Sequence, residues 1–391
     1  MTIVELSTQQ TMRSVDPLVT VVIPAYNAEQ VIATTLTSVI HQTYQNLEIL
    51  VVDDGSCDRT AEIVTGFTQK DSRVRLIQQT NGGVAAARNT GISAAQGEFI
   101  APLDADDVWY PSNLQRQVDC LLNSPAQAGL AYSWSIDIDA ADRPTGVVRA
   151  SRIEGEVYTT LLLHDFIANA SSVMLRRSCL EEIGGYNTSL KQRQGQGSED
   201  WDIYLRMAER YEFRVVPEFL VGYRRLPDSM STDFSQMVRS RQLVWQDIHK
   251  KYPKLPDIIK RLSNSSYYLY IAWQCYEAGQ RENLFRWVAQ AMRTAPLTVC
   301  LRPSVWKLCL KGALMESQAD DECQASPSET ASDSQDGADI GSNVTSKVLA
   351  EIFLHRVVSP VLGNLRRWRA AAAQPPNTVN QRLENPCTTS N

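Results

Sequence analysis

Short apolar runs alternate with stretches of helical spacing along the first third of the chain, and each run closes on polar residues. Residues 18–23 read as a continuous apolar strand, buried on both faces, that ends at Pro24-Ala25-Tyr26-Asn27. Residues 28–41 have helical spacing, with Val31, Leu36, Val39 and Ile40 able to share one side. A second strand over 47–52 ends in Asp53-Asp54-Gly55-Ser56, and a helix follows to about Lys70. Residues 74–77 give a third strand, after which Asn81-Gly82-Gly83 turns the chain into an Ala-rich helix ending near Gly97. A last apolar run, 98–101, leads through Pro102 and Leu103 to Asp104-Ala105-Asp106-Asp107. This alternation predicts a mostly parallel α/β sheet with right-handed crossovers.

In such a sheet ligands sit at the carboxyl ends of the strands, so the polar clusters just named would meet on one rim. That rim is acidic. Asp104, Asp106 and Asp107 put three carboxylates within four residues, and like charges that close together call for compensation. A divalent cation supplies it, because Mg²⁺ commonly shares its shell between one or two carboxylates and a substrate phosphate. The bland reading of the same residues is a solvated acidic turn with Pro111 opening the next helix. No Gly-x-Gly-x-x-Gly follows the first strand and no Gly-x-x-x-x-Gly-Lys-Ser/Thr occurs anywhere, which excludes the common dinucleotide and phosphate loops. A phosphate on this rim would need a metal or an added cation, for which Arg88 is a candidate.

Past Pro111 the pattern loosens. A helix over 114–122 precedes strands over 128–134 and at Val147-Val148, read as an antiparallel extension, and a further strand over 172–175. Ile183-Gly184-Gly185-Tyr186 is a turn, and the Gly-punctuated polar segment 191–197 reads as a flap. Glu199-Asp200-Trp201-Asp202 then opens a helix that runs to Tyr211, and strands over 213–216 and 219–223 follow. Acidic residues in a first helical turn also suit the helix dipole without any chemistry, and Ser56 or Asp58 could simply cap a helix.

The remainder is helical over 234–252 and 265–295, where Ala278-Gly279, Ala291 and Pro296 resemble one tetratricopeptide-like hairpin or an ordinary helical cap. Residues 305–314 could add a helix. Residues 316–345 are rich in Ser, Asp, Glu and Gln and too poor in apolar residues to order themselves. Residues 346–373 return to helical spacing with Arg356, Arg366, Arg367 and Arg369, which suggests a partner-docking helix or a peripheral membrane contact.

The net charge of −6 across 391 residues argues against general nucleic-acid binding. Eight cysteines without a Cys-x-x-Cys pair indicate neither a zinc site nor a disulfide framework, and a cytoplasmic, reducing setting is the plain expectation. The polar first 16 residues do not read as a signal peptide, and no apolar run reaches the length of a membrane span.

With these residues assembled, the first part of the chain resembles the family 2 glycosyltransferases of GT-A fold. The resemblance rests on six motifs in the family's order: residues 21–27, residues 51–56, Asn81-Gly82-Gly83 with Ala87-Arg88-Asn89, residues 103–107, residues 183–186 and residues 199–202. It implies an inverting transfer of one sugar from a nucleotide-diphosphate sugar, with UDP the first choice and GDP or dTDP open, to an acceptor hydroxyl on a saccharide, lipid-linked or other glycoconjugate acceptor, as in surface-polysaccharide synthesis. Pro24, Ala25 and Tyr26 would line the nucleotide pocket, Asp53 would meet the base, and Asn27, Asp54 and Gly55 would bind substrate beside them. Asn81, Gly82, Arg88, Ala105, Glu199 and Trp201 would join the substrate surface, although Trp201 reads more as packing than as a sugar-stacking ring and Arg88 could instead only pair with a rim carboxylate. Asp104 would lie near the ribose, Asp106 would hold Mg²⁺ or Mn²⁺, and Asp200 would be the general base.

The departure from the family's pattern is at Leu226, where relatives often carry a His; Arg224 or Arg225 would then supply the positive charge. No Gln-x-x-Arg-Trp motif of processive synthases is present, which favours single additions. The implied organisation is a flexible start over 1–16, a GT-A domain over 17–231, an α-helical C-terminal extension over 232–315, a linker over 316–345, a basic amphipathic helix over 346–373 and a loose tail over 374–391. A nucleotidyltransferase and a non-catalytic nucleotide-sugar-binding scaffold are the competing readings.

Overall fold

The computed structural model describes residues 16–226 and 233–315. The expectations for the first 15 residues, for 227–232, and for the linker, basic helix and tail after 315 lie outside the described residues.

The chain opens as β1 (Val19–Ala25), α1 (Ile32–Ile40), β2 (Leu47–Asp53), α2 (Thr60–Thr68), β3 (Val74–Gln78), α3 (Val84–Ala94) and β4 (Phe99–Pro102). β1 pairs in parallel with β2 on one side and with β4 on the other, and β2 pairs in parallel with β3. Every residue of β1 is buried, as its unbroken apolar run demands of a strand covered on both faces. Its alternate side chains go to opposite sides. Val19, Val21 and Ile23 pack with Leu36 and Val39 of α1 and Val64 of α2. Val22 joins Leu50, Ile100 and Ala85 of α3 in the core on the other side.

The chain continues as β5 (Val108–Trp109), α4 (Asn113–Leu122), β6 (Ala128–Ile138), β7 (Pro144–Arg149), α5 (Tyr158–Leu163), a single 3₁₀ turn (Ala170–Ser172), β8 (Val173–Arg176), α6 (Arg177–Ile183), α7 (Ser189–Gln192), α8 (Glu199–Ala208) and β9 (Glu212–Arg224). The sheet has nine strands in the order β3-β2-β1-β4-β8-β6-β9-β5, with β7 paired to β6. β8 lies antiparallel between β4 and β6.

Two expectations change here. The extension is not wholly antiparallel, because β6 runs parallel to β9 while pairing antiparallel with β7 and β8. The strands expected over 213–216 and 219–223 are one strand. Ser133 faces Val216 and the next residue, Trp134, faces Phe219, so Pro217 and Glu218 are skipped in a bulge.

Five helices follow: α9 (Phe234–Lys251), α10 (Asp257–Glu277), α11 (Arg281–Thr294), α12 (Pro296–Cys300) and α13 (Pro303–Ala313). α10 and α11 form the expected hairpin, turned at Gly279 (φ 72°), where the Gln280 amide donates to the Cys275 carbonyl at 2.8 Å. α10 begins at Asp257, eight residues before the expected start at 265. α9 belongs to two cores. Phe234, Met237 and Val238 pack with α10 and α11. Leu243, Val244, Trp245 and Ile248 share a core with β6, β8 and α8.

α3 carries small residues toward the sheet, so its backbone comes close to β1. A Cβ at Gly91 would meet Cγ1 of Val22 at 2.4 Å, and Val22 is fully buried. Gly91→Ala should destabilise the protein by about 1–3 kcal/mol despite its better helix propensity, as read from chemical denaturation. Gly66→Ala, where a Cβ meets nothing within 4 Å, should be neutral or stabilising in the same experiment.

Candidate active site

The ends of β1, β2 and β3 are stitched together by their own polar residues. Asn27, in the left-handed region at φ 48°, accepts from the Cys57 amide at 2.9 Å, and its own amide donates to Ser56 Oγ at 3.0 Å. Asp53, 2% exposed, accepts from the Ser56 amide at 3.0 Å and from Gln78 Nε2 at 3.2 Å. Asp54 accepts three hydrogen bonds, from Gln79 Nε2 at 2.7 Å and from the amides of Gly82 and Gly83 at 2.8 and 2.7 Å. Asp54 therefore holds the Asn81-Gly82-Gly83 turn in shape, and Gly55 (φ 79°) makes the tight bend beside it. Pro24 and Ala25 are buried in β1, so Tyr26, 53% exposed, is the side chain this segment offers to a ligand.

The Asp104–Asp107 strand end divides into different environments. Asp107 is fully buried. It accepts from Ser171 Oγ at 2.5 Å and from the Arg224 amide at 2.8 Å, pinning the 3₁₀ turn and the end of β9 beneath the rim. Burial, then Asp106 and Asp104, push its carboxyl well above the usual range. Asp106 has no such ties: its carboxylate receives a hydrogen bond from its own amide, and burial with Asp104 nearby raises it to about 6. The Ala105 carbonyl is taken by Thr35 Oγ1 at 2.7 Å.

Among the described residues no group of three His, Cys, Asp or Glu side chains is placed to hold a metal ion. A weakly compensated Asp106 next to Asp104 nonetheless fits a Mg²⁺ or Mn²⁺ site completed by substrate phosphate oxygens, which needs one or two carboxylates from the protein.

Arg88 joins this rim to the second acidic cluster. On α3, between small residues that let the helix approach the sheet, it is 3% exposed. Its Nη2 donates to Asp104 at 2.6 Å and its Nη1 to Asp200 at 2.6 Å, residues 16 and 112 positions away in sequence. Its guanidinium lies 5.1 Å from the centroid of the Tyr186 ring. Tyr186 is placed by Asn89, which accepts from the Tyr186 amide and donates to the Tyr186 carbonyl, both at 2.8 Å. The glycine before it is required, because a Cβ on Gly185 would meet Asn89 Oδ1 at 2.7 Å.

Burial works against the Arg88 charge, but Asp200 and Asp104 outweigh it and hold the guanidinium firmly protonated. Asp200 is raised to about 7, chiefly by burial; Arg88 opposes the rise, and Asp104 and Glu199 add to it. Glu199 is buried, accepts from the Gly197 amide at 2.7 Å, and is also raised, mainly by burial.

Three expectations need correction. Trp201 does not face a ligand: it is 2% exposed, donates to the Leu161 carbonyl at 2.8 Å, and lies under the Arg241 guanidinium at 3.8 Å. Arg224 and Arg225 do not stand free to meet a diphosphate. Arg224 is spent on the carbonyls of Asp106 (2.6 Å) and Asp139 (3.1 Å) and on Asp142 (2.6 Å). Arg225 is spent on Asp137 at 2.9 Å. The segment expected as a flap carries α7 and is seated on α9: Gly195 is buried against Ser240 and Leu243, and Arg193 pairs with Asp247 at 2.7 Å.

Lys191, unremarked in the motifs, supplies a cation at the rim. Its Nζ is hydrogen-bonded to Asn81 Oδ1, and its chain crosses Gly83 so closely that a Cβ there would meet Cδ at 2.5 Å. Its place in a polar segment gave no signal of this role. Lys191 also lines a cleft of about 740 Å³ between the 194–196 segment and α9, with Gln236, Arg239 and Gln242 on the α9 side.

Comparison with known proteins bears on these residues. The WfgD protein of Escherichia coli, a UDP-Glc:α-D-GlcNAc-diphosphoundecaprenol β-1,3-glucosyltransferase, is 44% identical over 110 residues, 28% of this chain and 43% of that protein. An uncharacterized glycosyltransferase of Haemophilus influenzae is 33% identical over 218 residues, 53% of this chain and 65% of that one. Among several such relatives the match spans less than half of the relative's length. The S. aureus TarS 1–349 structure in complex with UDP superposes with a TM-score of 0.49 at 20% identity, over 75% of this chain and 87% of that one. The family model for glycosyl transferase family 2 matches residues 20–184, which take in the β1, β2 and α3 motifs and Asp104–Asp107 and end at Gly184, before Asp200. Residues 20–184 of the chain thus carry the pattern of glycosyl transferase family 2.

Proposed function

We propose that this protein transfers a single sugar, with inversion, from a nucleotide-diphosphate sugar to an acceptor hydroxyl, and that UDP is the nucleotide. The observation that carries the reading is Arg88 held at 2.6 Å from both Asp104 and Asp200. One buried cation thereby fixes a carboxylate of the strand-end cluster relative to a carboxylate suited to base catalysis. The choice of UDP is supported by the donor in the name of WfgD.

Asp200 acts as general base. Its side chain is 29% exposed, so it meets a ligand without being fully solvated. A carboxyl raised to about 7 is a stronger base than an exposed aspartate and is still substantially ionised at neutral pH. It takes the acceptor proton as the hydroxyl oxygen bonds to the anomeric carbon, while the bond from that carbon to the diphosphate oxygen breaks and the nucleoside diphosphate leaves with the electron pair. Arg88 opposes the burial that would otherwise keep Asp200 protonated. Tyr26 and the turn held by Asp53 and Asp54 receive the nucleotide, and Lys191 places a positive charge beside that turn. Mg²⁺ or Mn²⁺, held by Asp106 with Asp104 beside it, would neutralise charge on the departing diphosphate.

Asp200→Asn should lower kcat by about 10²–10⁴-fold in an assay of nucleotide release from UDP-sugars, while UDP affinity by calorimetry stays within about twofold. Unchanged turnover would remove Asp200 from the mechanism, and a wild type that binds UDP without any turnover would favour the scaffold reading.

Because the base works ionised, kcat should fall as pH drops through about 7. Arg88 lowers the Asp200 value, so Arg88→Met should move this acid limb to higher pH in a pH–rate profile.

Mn²⁺ added with UDP should raise the melting temperature of the wild type, and Asp106→Asn should abolish the increment that Mn²⁺ adds over UDP alone.

A further inference from the structure

The face made by α12 and α13 departs from the rest of the surface. Leu297, Leu301, Trp306, Leu310 and Leu314 are 77%, 80%, 59%, 63% and 75% exposed. Trp306, Leu310 and Leu314 recur every four residues, opposite the buried Val305, Leu308 and Gly312 that seat α13 on the helical core. Lys307 and Lys311 follow the same spacing one residue on, so a cationic stripe runs beside the apolar one. Trp273 of the neighbouring α10, 38% exposed and 5.5 Å from Lys311 Nζ by its ring centroid, widens the face.

Charge singles out what this face meets. Residues 283–315 contain Arg286, Arg293, Arg302, Lys307 and Lys311 and not one Asp or Glu, in a chain of net charge −6. The chain's own segment 346–373 is apolar enough to cover the stripe, but it brings Arg356, Arg366, Arg367 and Arg369 and would meet like charge. Exposed Leu and Trp in a stripe flanked by Lys and Arg is the composition of a surface that lies in a lipid interface, with the indole at headgroup level and the cations on anionic phosphates.

We propose that the α12–α13 face docks the protein on an anionic lipid surface. None of its residues belongs to the candidate active site, and the inference stands whether or not the proposed sugar transfer does. No described helix is long and apolar enough to cross a membrane, so the contact is one of lying on the surface.

The test is co-sedimentation of the full chain with phosphatidylglycerol vesicles, with phosphatidylcholine vesicles as the uncharged arm. The wild type should bind the anionic vesicles at least about 10-fold more strongly. Trp306→Ser with Leu310→Ser should weaken binding by about 10-fold or more, and Lys307→Glu with Lys311→Glu by about 20-fold or more. All these positions are solvent-exposed, and circular dichroism checks that the variants fold. Four outcomes overturn the proposal. The wild type could fail to sediment with anionic vesicles, or bind both lipids equally. Binding could be lost in Arg366→Glu/Arg367→Glu/Arg369→Glu and not in the α13 variants. Light scattering could show a wild-type dimer that Trp306→Ser/Leu310→Ser makes monomeric, which would assign the face to a second copy of this chain.

Discussion

The Arg88 guanidinium is the constraint on which the rest of the site depends. It is buried where an unpaired cation would be untenable, and it is tolerated because Asp104 and Asp200 each take one of its terminal nitrogens. The dependence is mutual. Without the cation, two carboxylates drawn from opposite ends of the domain would face one another across a poorly hydrated gap. α3, the strand end after β4 and the start of α8 are thus held to one geometry by charge as well as by packing, and the small residues of α3 are what let Arg88 reach that position.

The acidic residues of the rim look interchangeable in sequence and are not so in space. Asp54 and Asp107 have their oxygens filled by backbone amides and hydroxyls and serve as struts. Asp106 and Asp200 are half-buried, without backbone amides of other residues filling their oxygens, and their proton affinities rise into the range where protonation is in play near neutrality. Sorting carboxylates by what satisfies them separates those that hold the fold from those free to meet a ligand.

The four parallel strands and their polar ends were legible because a strand buried on both faces needs an unbroken apolar run, and such runs are short and visible. Arg88 was legible as a candidate cation and as a partner for a rim carboxylate, which Asp104 is, but its second partner was not, since Asp200 lies 112 residues away and no local pattern records that contact. Trp201 sits in a motif whose neighbours face the site, but a helix turns each next side chain by about 100° and carries the indole into the core, where packing rather than stacking on a sugar is its role. Arg224 and Arg225 follow the same lesson: their charge is evident in sequence, but the carbonyls and carboxylates that consume it come from the Asp104–Asp107 strand end, from the loop between β6 and β7 and from β6 itself. β9 was split at Pro217, which breaks the apolar rhythm; in the sheet the bulge absorbs it and the strand runs on.

Arg241 rises from α9 into the space between the Trp201 ring, at 3.8 Å, and the Tyr267 ring of α10, at 4.4 Å. Trp201 is the immediate neighbour of Asp200. The later helices are therefore not a cassette that could be trimmed away or exchanged between relatives while the chemistry stays put. A recombination boundary drawn in front of α9 would strip the cover from the tryptophan beside Asp200, so inheritance of this sheet and of these helices should travel together.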